Sequence, residues 1–256
     1  MKKSLKDWDR WKLKLKKEQI EKAKKNAAKE AVKQVKDGFI IGLGSGSTAA
    51  YAIEEIGEKI KHEELHVSAV PTSYQALTLA VKHGIPLTTL DEHPTLDLTI
   101  DGADQIDKEL NLIKGMGGAL TREKIVASAS KKLVIVATEN KKVEFLGENS
   151  CPVPIEVIPF AAKPVMLKIK KIGGTAVIRE SNRKVGPVVT DNGNIILDAN
   201  FGIIKKPEEL ETKLKLIPGV VETGLFLGMA DMVFIGKSDA VEIVGKEDGV
   251  SRIRKE

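Results

Sequence analysis

The side chains best suited to acid–base chemistry lie in two short segments near the middle of the chain. Asp101 and Asp104 belong to the sequence DGAD, which directly follows an apolar stretch, and the glycine-rich sequence KGMGGALTREK begins with Lys114 and contains Glu123. Carboxylates can accept and return protons, and an ammonium group stabilises negative charge that develops beside it. The two segments therefore indicate a catalytic site that moves protons.

Each of these residues also has a purely structural interpretation. Asp101 or Asp104 can cap a turn, and Thr121 is suited to be the N-cap of a helix whose first turn would then contain Glu123. A metal site formed by Asp101, Asp104 and Asp107 is disfavoured, because calcium loops need a different ligand pattern and no histidine is near. The four histidines lie outside these segments, which argues against histidine-based catalysis: His62, His66, His83 and His93.

The segment GLGSGST, residues 42–48, predicts an anion-binding turn between a strand and a helix. Glycines let backbone amides approach a phosphate, and the first amides of the following helix have no partner within it. Ser45, Ser47 and Thr48 add hydroxyl donors around Gly46. A dinucleotide fingerprint would need glycine at Ser47, and a Walker A loop would need a lysine that is missing. Phosphate or phosphosugar binding is predicted, with a plain capped turn as the alternative.

These segments are interleaved with regular elements of an α/β pattern. Apolar strands are predicted at residues 39–43, 65–70, 96–100 and 132–138, and helices at 15–36, 49–60, 74–83 and 121–130. Almost wholly apolar strands that alternate with helices indicate a mainly parallel sheet with helices on both faces. Two later strands, at 232–235 and 241–244, are predicted to return to this sheet.

The pattern changes near residue 148. Residues 151–158 and the position after them contain three prolines, which favours an edge strand or a linker. A helix at 163–171, a strand at 175–179, a hairpin at 188–197 with Asn192-Gly193 at its turn, a helix at 207–216 and a strand at 220–226 follow. The order βαββαβ predicts a small α+β domain of the ferredoxin-like type.

Composition limits the remaining possibilities. The chain has 256 residues, 42% hydrophobic residues and a net charge of +5, and this positive charge is concentrated in residues 1–38. We interpret the basic N-terminal arm as a solvated helix, and nucleic-acid contact is the weaker alternative. The chain has no apolar run of membrane-spanning length and no signal-peptide pattern, so a cytoplasmic location is expected. The single cysteine, Cys151, is expected to be a small core residue.

Taken together, the chain closely resembles the A-type ribose-5-phosphate isomerases. The resemblance is carried by GLGSGSTA (42–49), DGAD (101–104), KGMGGALTREKIVA (114–127), PIEVIPF (154–160), VVTDNGNIILD (188–198) and PGVVETGLF (218–226). It implies a Rossmann-like isomerase domain at 1–147 and 224–256, of which 1–18 form the basic arm, and an inserted α+β domain at 148–223. It also implies homodimers or homotetramers that interconvert D-ribose 5-phosphate and D-ribulose 5-phosphate without a metal or other cofactor.

The resemblance assigns roles to individual residues. The resemblance makes Glu123 the proton acceptor. The chemistry of an enediolate intermediate adds that Lys114 would stabilise the developing oxyanion, that Asp101 and Asp104 would bind the sugar hydroxyls, and that one of these two would shuttle protons or assist ring opening. Lys24 is a less secure match to a lysine near the phosphate. The implied substrate-binding residues are Ser45, Gly46, Ser47, Thr48, Asp101, Gly102, Ala103, Asp104, Lys114, Gly115, Met116, Gly117 and Lys141.

Three other functions stay open on the same scaffold. A phosphosugar sensor would not need Asp101, Asp104, Lys114 and Glu123 together. A CoA transferase would use a glutamate as nucleophile. An amino-sugar-phosphate deaminase would be expected to use a histidine for ring opening, and the segments contain none.

Overall fold

The computed structural model describes residues 5–63, 65–181, 185–245 and 251–255. Its helices are α1 (Leu5–Val32), α2 (Ser47–Glu63), α3 (Tyr74–Lys82), α4 (Leu120–Ser128), α5 (Ala162–Lys171) and α6 (Pro207–Lys215). Its strands are β1 (Ile40–Leu43), β2 (Ser68–Pro71), β3 (Leu98–Gly102), β4 (Gln105–Ile106), β5 (Leu112–Ile113), β6 (Leu133–Thr138), β7 (Val153–Val157), β8 (Thr175–Ile178), β9 (Ile195–Asn200), β10 (Val220–Thr223), β11 (Leu225–Phe226), β12 (Met232–Gly236), β13 (Ala240–Gly245) and β14 (Ser251–Lys255).

A seven-stranded sheet in the order β14-β13-β12-β6-β3-β1-β2 forms the main layer. Its pairs are parallel from β12 through β6, β3 and β1 to β2, and antiparallel from β12 to β14. This confirms the predicted mainly parallel sheet and the return of β12 and β13 to it. β14 extends that edge and was not predicted.

Both faces of this sheet are covered, which explains why its strands are apolar throughout. Side chains of β6 alternate between two cores: Val134 and Val136 pack with α1, α2 and α3, whereas Leu133 and Ile135 pack on the opposite face with Ala127 of α4. The second face is shared by α4 and a small antiparallel sheet, β11-β5-β4, that the sequence pattern did not reveal.

A second, antiparallel sheet has the order β10-β7-β9-β8, and α5 and α6 pack with it. The chain order βαββαβ confirms the predicted ferredoxin-like unit. The domain boundaries at 147/148 and 223/224 stay a prediction.

The prediction that residues 151–158 form an edge strand or a linker was wrong. β7 is a central strand, wholly buried and paired on both sides. Pro154 is tolerated there because its carbonyl accepts from the Gly224 N–H, just beyond the end of β10. The N–H that proline lacks would face the Gly224 carbonyl, and that carbonyl accepts from the Lys114 N–H instead, so no acceptor is left unpaired.

The predicted strand at 220–226 is divided between two sheets at Gly224. Its first part pairs with β7, and its last two residues pair with β5. A Cβ on Gly224 would lie 2.3 Å from the Lys114 carbonyl oxygen, so only glycine permits the two segments to approach this closely.

The N-terminal helix α1 is longer than predicted and includes part of the basic arm, although residues 1–4 and the side chains of 5–14 lie outside the described part. No helix in that part is long and apolar enough to cross a membrane.

Candidate active site

The candidate site is a cleft at the carboxyl ends of β1 and β3, where open α/β sheets bind ligands. The N-terminal turns of α2 and α4 face it. Its lining residues are Ser45, Gly46, Ser47, Thr48, Gly102, Ala103, Asp104, Lys114, Gly115, Gly117, Glu123 and Lys141. All were predicted site residues. Of the predicted set, Asp101 and Met116 do not line the cleft.

Three charged side chains form a cluster at the cleft: Lys114 and Glu123 line it, and Asp101 lies behind them. The Lys114 ammonium lies 3.0 Å from Asp101 Oδ2 and 3.2 Å from Glu123 Oε2. It also donates a hydrogen bond to the Gly102 carbonyl, at 2.7 Å. Within the described residues, Asp101 Oδ2 and Glu123 Oε2 are buried without any directed hydrogen bond, so the ion pairs alone balance them. The Glu123 carboxylate is therefore in contact with the cation through Oε2.

Burial controls the protonation of this cluster. Lys114 is 2% exposed, Glu123 4% and Asp101 0%. Loss of hydration, followed by the negative charge of Asp101, raises the pKa of Glu123 to about 8, and burial also raises the pKa of Asp101. The pKa of Lys114 is raised as well, because the attraction of Asp101 and Glu123 outweighs its desolvation. Because one ammonium serves two buried carboxyl groups, we expect Asp101 and Glu123 together to retain one proton near neutral pH.

Asp101 lies behind the cleft wall and connects Lys114 to the turn at residues 45–48, the phosphate-loop candidate. It belongs to β3 rather than following the strand, and its Oδ1 accepts from the N–H groups of Ser45 at 3.1 Å and Gly102 at 2.7 Å. A Cβ on Gly44 would lie 2.2 Å from this oxygen. Glycine at position 44 is therefore required for the close approach.

The turn before α2 has the geometry expected of an anion site. Gly46 has a positive φ of 98°, and α2 begins at Ser47, so amides of its first turn face the cleft without helical partners. Supporting residues were missed because they lie elsewhere in the sequence. Ser45 Oγ is 2.8 Å from Thr72 Oγ1 and 2.5 Å from Ser73 Oγ, and the Gly46 N–H donates to Gln75 Oε1.

The loop after Lys114 is held from two sides. The Met116 N–H donates to Asp104 Oδ2 at 3.0 Å, while Arg179 Nη1 donates to the carbonyls of Gly115 and Met116 at 2.8 and 3.0 Å. Arg179 is itself paired with Asp198 in the smaller sheet. Arg179 was not identified from the sequence, because nothing in its local pattern relates it to the loop.

Two lysines predicted near the phosphate differ in position. Lys141 lines the cleft, with its ammonium 4.0 Å from Asp104 Oδ1. Lys24 pairs with Glu21 on α1 at 2.8 Å and is not among the residues that line the cleft. Within the described residues, no group of three or more His, Cys, Asp and Glu side chains is arranged to hold a metal ion.

The prediction that Thr121 caps α4 was wrong. The N-cap residue is Ala119, which makes no side-chain cap bond, and the Thr121 hydroxyl donates to Glu156 instead. Glu123 does lie in the first turn of α4, as expected.

Comparison with known proteins identifies the family. The model of ribose 5-phosphate isomerase A, also called phosphoriboisomerase A, matches residues 68–240. This chain belongs to that family. The corresponding isomerase of Methanothermobacter thermautotrophicus is 51% identical over 221 residues, which cover 86% of this chain and 96% of the relative. The human ribose-5-phosphate isomerase is 47% identical over 222 residues, covering 86% of this chain and 71% of the relative.

Solved isomerase structures agree with the fold. Ribose 5-phosphate isomerase A from Methanocaldococcus jannaschii superposes with a TM-score of 0.84 at 48% identity, covering 88% of this chain and 98% of that one. A D-ribose-5-phosphate isomerase in complex with phospho-erythronic acid gives 0.84 at 43% identity, covering 93% and 99%. Family membership makes this chain an aldose–ketose isomerase and confirms the predicted function over the sensor, transferase and deaminase alternatives.

Proposed function

We propose that this chain interconverts D-ribose 5-phosphate and D-ribulose 5-phosphate through an enediolate, in the non-oxidative pentose phosphate pathway, with Glu123 as the base. The observation that supports this most strongly is the ion pair of Glu123 and Lys114 at the base of a cleft whose opposite wall is the Ser45–Thr48 turn. The pair suits proton transfer, and the turn suits a phosphate.

Proton transfer defines what the site must supply. Isomerisation removes the hydrogen from C2 of the open-chain aldose and delivers a proton to C1, while the C1 and C2 oxygens exchange a proton. Glu123 lines the cleft and its Oε2 is paired with the Lys114 ammonium, so we assign acceptance of the C2 hydrogen to the other oxygen of this carboxylate. A pKa near the working pH lets the same group return the proton.

Lys114 stabilises the charge that the base creates. When Glu123 takes the proton, negative charge moves to the substrate oxygens, and the fixed ammonium beside the carboxylate can attract it. The cation is already ordered by Asp101 and the Gly102 carbonyl, so little reorganisation is needed during the reaction. One such preorganised donor contributes about 3–4 kcal/mol. We assign Asp104 to the sugar hydroxyls, and Asp101 to holding Lys114 and the Ser45 amide.

The phosphate end anchors the sugar. The backbone amides and hydroxyl groups of Ser47 and Thr48, together with Lys141, offer donors to a phosphate where the start of α2 carries positive charge. Binding energy from this remote group is then used to orient C1 and C2 against Glu123. The relative's complex with phospho-erythronic acid supports this arrangement, because that ligand joins a phosphate to a planar carboxylate that resembles an enediolate.

The test is direct. Purified protein is incubated with ribose 5-phosphate and EDTA, and ketose formation is followed over time. The parent is expected to convert the sugar, Glu123→Gln to lose conversion, and Glu30→Gln to retain it. Glu30 is a matched control because it is a mostly buried, lysine-paired glutamate on α1, outside the cleft. A parent that forms no ketose contradicts the proposal.

We further propose a homodimer or homotetramer acting in the cytoplasm, with no nucleic-acid partner. The family resemblance supports this assembly, and so do large exposed apolar side chains such as Phe160, which is 97% exposed. Sedimentation equilibrium at several protein concentrations measures the assembly, and a monomer at all concentrations contradicts it.

A further inference from the structure

A buried carboxylate outside the cleft joins the smaller sheet to the helix that bears the base. Glu156, in the central strand β7, is 0% exposed. Its two oxygens accept hydrogen bonds from four uncharged side chains: Thr121 at 2.6 Å, Thr190 at 3.0 Å, Asn192 at 3.0 Å and Asn194 at 2.8 Å. Three of these donors belong to the turn at residues 190–194, and the fourth belongs to α4.

The first turn of α4 has no side-chain cap and is held by side-chain contacts to the smaller sheet. The N-cap residue Ala119 offers no side chain to the first turn. Instead, the Thr121 hydroxyl is bonded to Glu156, and the Arg122 guanidinium donates to Asn192 Oδ1 and to the Asp191 carbonyl, both at 2.7 Å. The two residues immediately before Glu123 are thus fixed to the smaller sheet and its turn, which determines the direction in which Glu123 points.

The same turn also reaches the opposite wall of the cleft. Asp191 Oδ2 accepts from the Tyr74 N–H at 2.9 Å, at the start of α3. The preceding residue, Ser73, is hydrogen-bonded to Ser45 Oγ. The turn at 190–194 therefore contacts both the helix of the base and the support of the phosphate-loop candidate.

We propose that Glu156 is a positioning residue for proton transfer: it organises the 190–194 turn and the first turn of α4 so that Glu123 is held against the bound sugar. This inference rests on the proposed role of Glu123 as the base. Glu156 does not line the cleft, so it acts through Thr121 and the turn rather than by touching substrate.

The chemistry of the cluster requires a carboxylate. All four neighbours present donors, and a carboxylate offers only acceptor sites, so every partner is satisfied. Glutamine at this position would have the same shape but would direct an NH₂ group towards other donors and leave some unpaired. Because a displacement of about 1 Å in a reacting group reduces turnover about 100-fold, a small shift of α4 has a large kinetic effect.

The experiment compares Glu156→Gln, Thr121→Val and Thr121→Ser with the parent. Turnover per folded molecule, KM and the isotope effect with substrate deuterated at C2 are measured. Asp97→Asn is the structural control, since Asp97 accepts from the Ile40 N–H and pairs with Lys131 at the opposite end of β3. Urea unfolding of every variant gives the stability lost.

We expect kcat to fall about 100-fold in Glu156→Gln, with a raised KM because the turn also supports Ser45, and about 10-fold or more in Thr121→Val with unchanged KM. Thr121→Ser keeps the hydroxyl and should restore turnover. The C2 isotope effect on kcat/KM should not decrease in either slow variant. Asp97→Asn should lose stability but not turnover.

Other results overturn the inference. A folded Thr121→Val with parental kcat would show that the contact to Glu156 does not position the base, and this variant decides the matter if Glu156→Gln does not fold. Equal losses of turnover in Asp97→Asn and Thr121→Val at equal losses of stability would reduce the effect to general destabilisation. If the parent has no isomerase activity, the proposed function is wrong. If the parent is active and Glu123→Gln is inactive, the proposed function stands, and a parental kcat in Thr121→Val contradicts only the role of Glu156.

Discussion

Replacing Glu123 by glutamine removes the proposed base while preserving the size of the side chain beside Lys114. The amide cannot accept the C2 proton, so we expect kcat to fall about 10²- to 10⁴-fold. KM should stay within about threefold, because the contacts of the Ser45–Thr48 turn do not involve residue 123. In the parent, kcat/KM should rise about tenfold per pH unit towards a plateau above about 8, since only the ionised carboxylate accepts a proton.

The same substitution should stabilise the folded protein at alkaline pH. Burial and the charge of Asp101 raise the pKa of Glu123 from 4.5 to about 8. A carboxyl group with a raised pKa binds its proton more tightly in the folded state, so its favourable contribution is complete below pH 4.5 and is lost as the pH rises to about 8. This loss is roughly 5 kcal/mol at most, because Asp101 shares the retained proton. Glutamine does not titrate and avoids it.

The measurement is urea unfolding of the parent, Glu123→Gln and the control Glu30→Gln at several values between pH 5 and 9. The free energy of unfolding of Glu123→Gln should approach that of the parent near pH 5 and exceed it increasingly towards pH 9. Glu30→Gln is the control for losing a lysine-paired glutamate that does not contact Asp101 or Lys114, because Glu30 pairs with Lys33 on α1.

Two results would refute this reasoning. If the difference in unfolding free energy between parent and Glu123→Gln is constant across this pH range, Glu123 does not carry the raised pKa. If Glu123→Gln retains kcat within tenfold of the parent, the base lies elsewhere in the cleft.

Three further substitutions test neighbouring contacts. Lys114→Met should lower kcat about 10²- to 10³-fold and the unfolding free energy by about 3–5 kcal/mol, because Asp101 and Glu123 lose their buried counter-ion. Steady-state kinetics measures the first effect and urea unfolding the second. Parental turnover would contradict the role of the lysine. Gly44→Ala should cost about 1–3 kcal/mol and raise KM, because the new Cβ clashes with Asp101, and an unchanged KM would contradict this. Cys151→Ser should keep kcat within about twofold, because burial raises the pKa of this thiol to about 11 and it lies outside the cleft, and a large loss would contradict this.

Much of the fold could be predicted because its signals are local. A strand buried on both faces is nearly continuously apolar, and residues 133–137 of β6 are all apolar, so the main sheet and the order of its helices were evident. The predictions that failed concern which strands lie next to each other, not which segments form strands. Pro154 indicates an edge strand until the position of Gly224 is known. Residues 220–226 are predicted as one strand, because nothing in their sequence shows that Leu225 and Phe226 pair with a different sheet.

The sequence alone determined which residue types meet at the cleft, because glycine-rich turns with charged residues follow the strands that end there. Only the tertiary structure decided their protonation and support. The pKa of Glu123 depends on exclusion of water and on its spacing from Lys114 and Asp101, and the direction of α4 depends on Glu156 in another sheet. Burial and distance arise from residues far apart in the chain, so no local pattern encodes them.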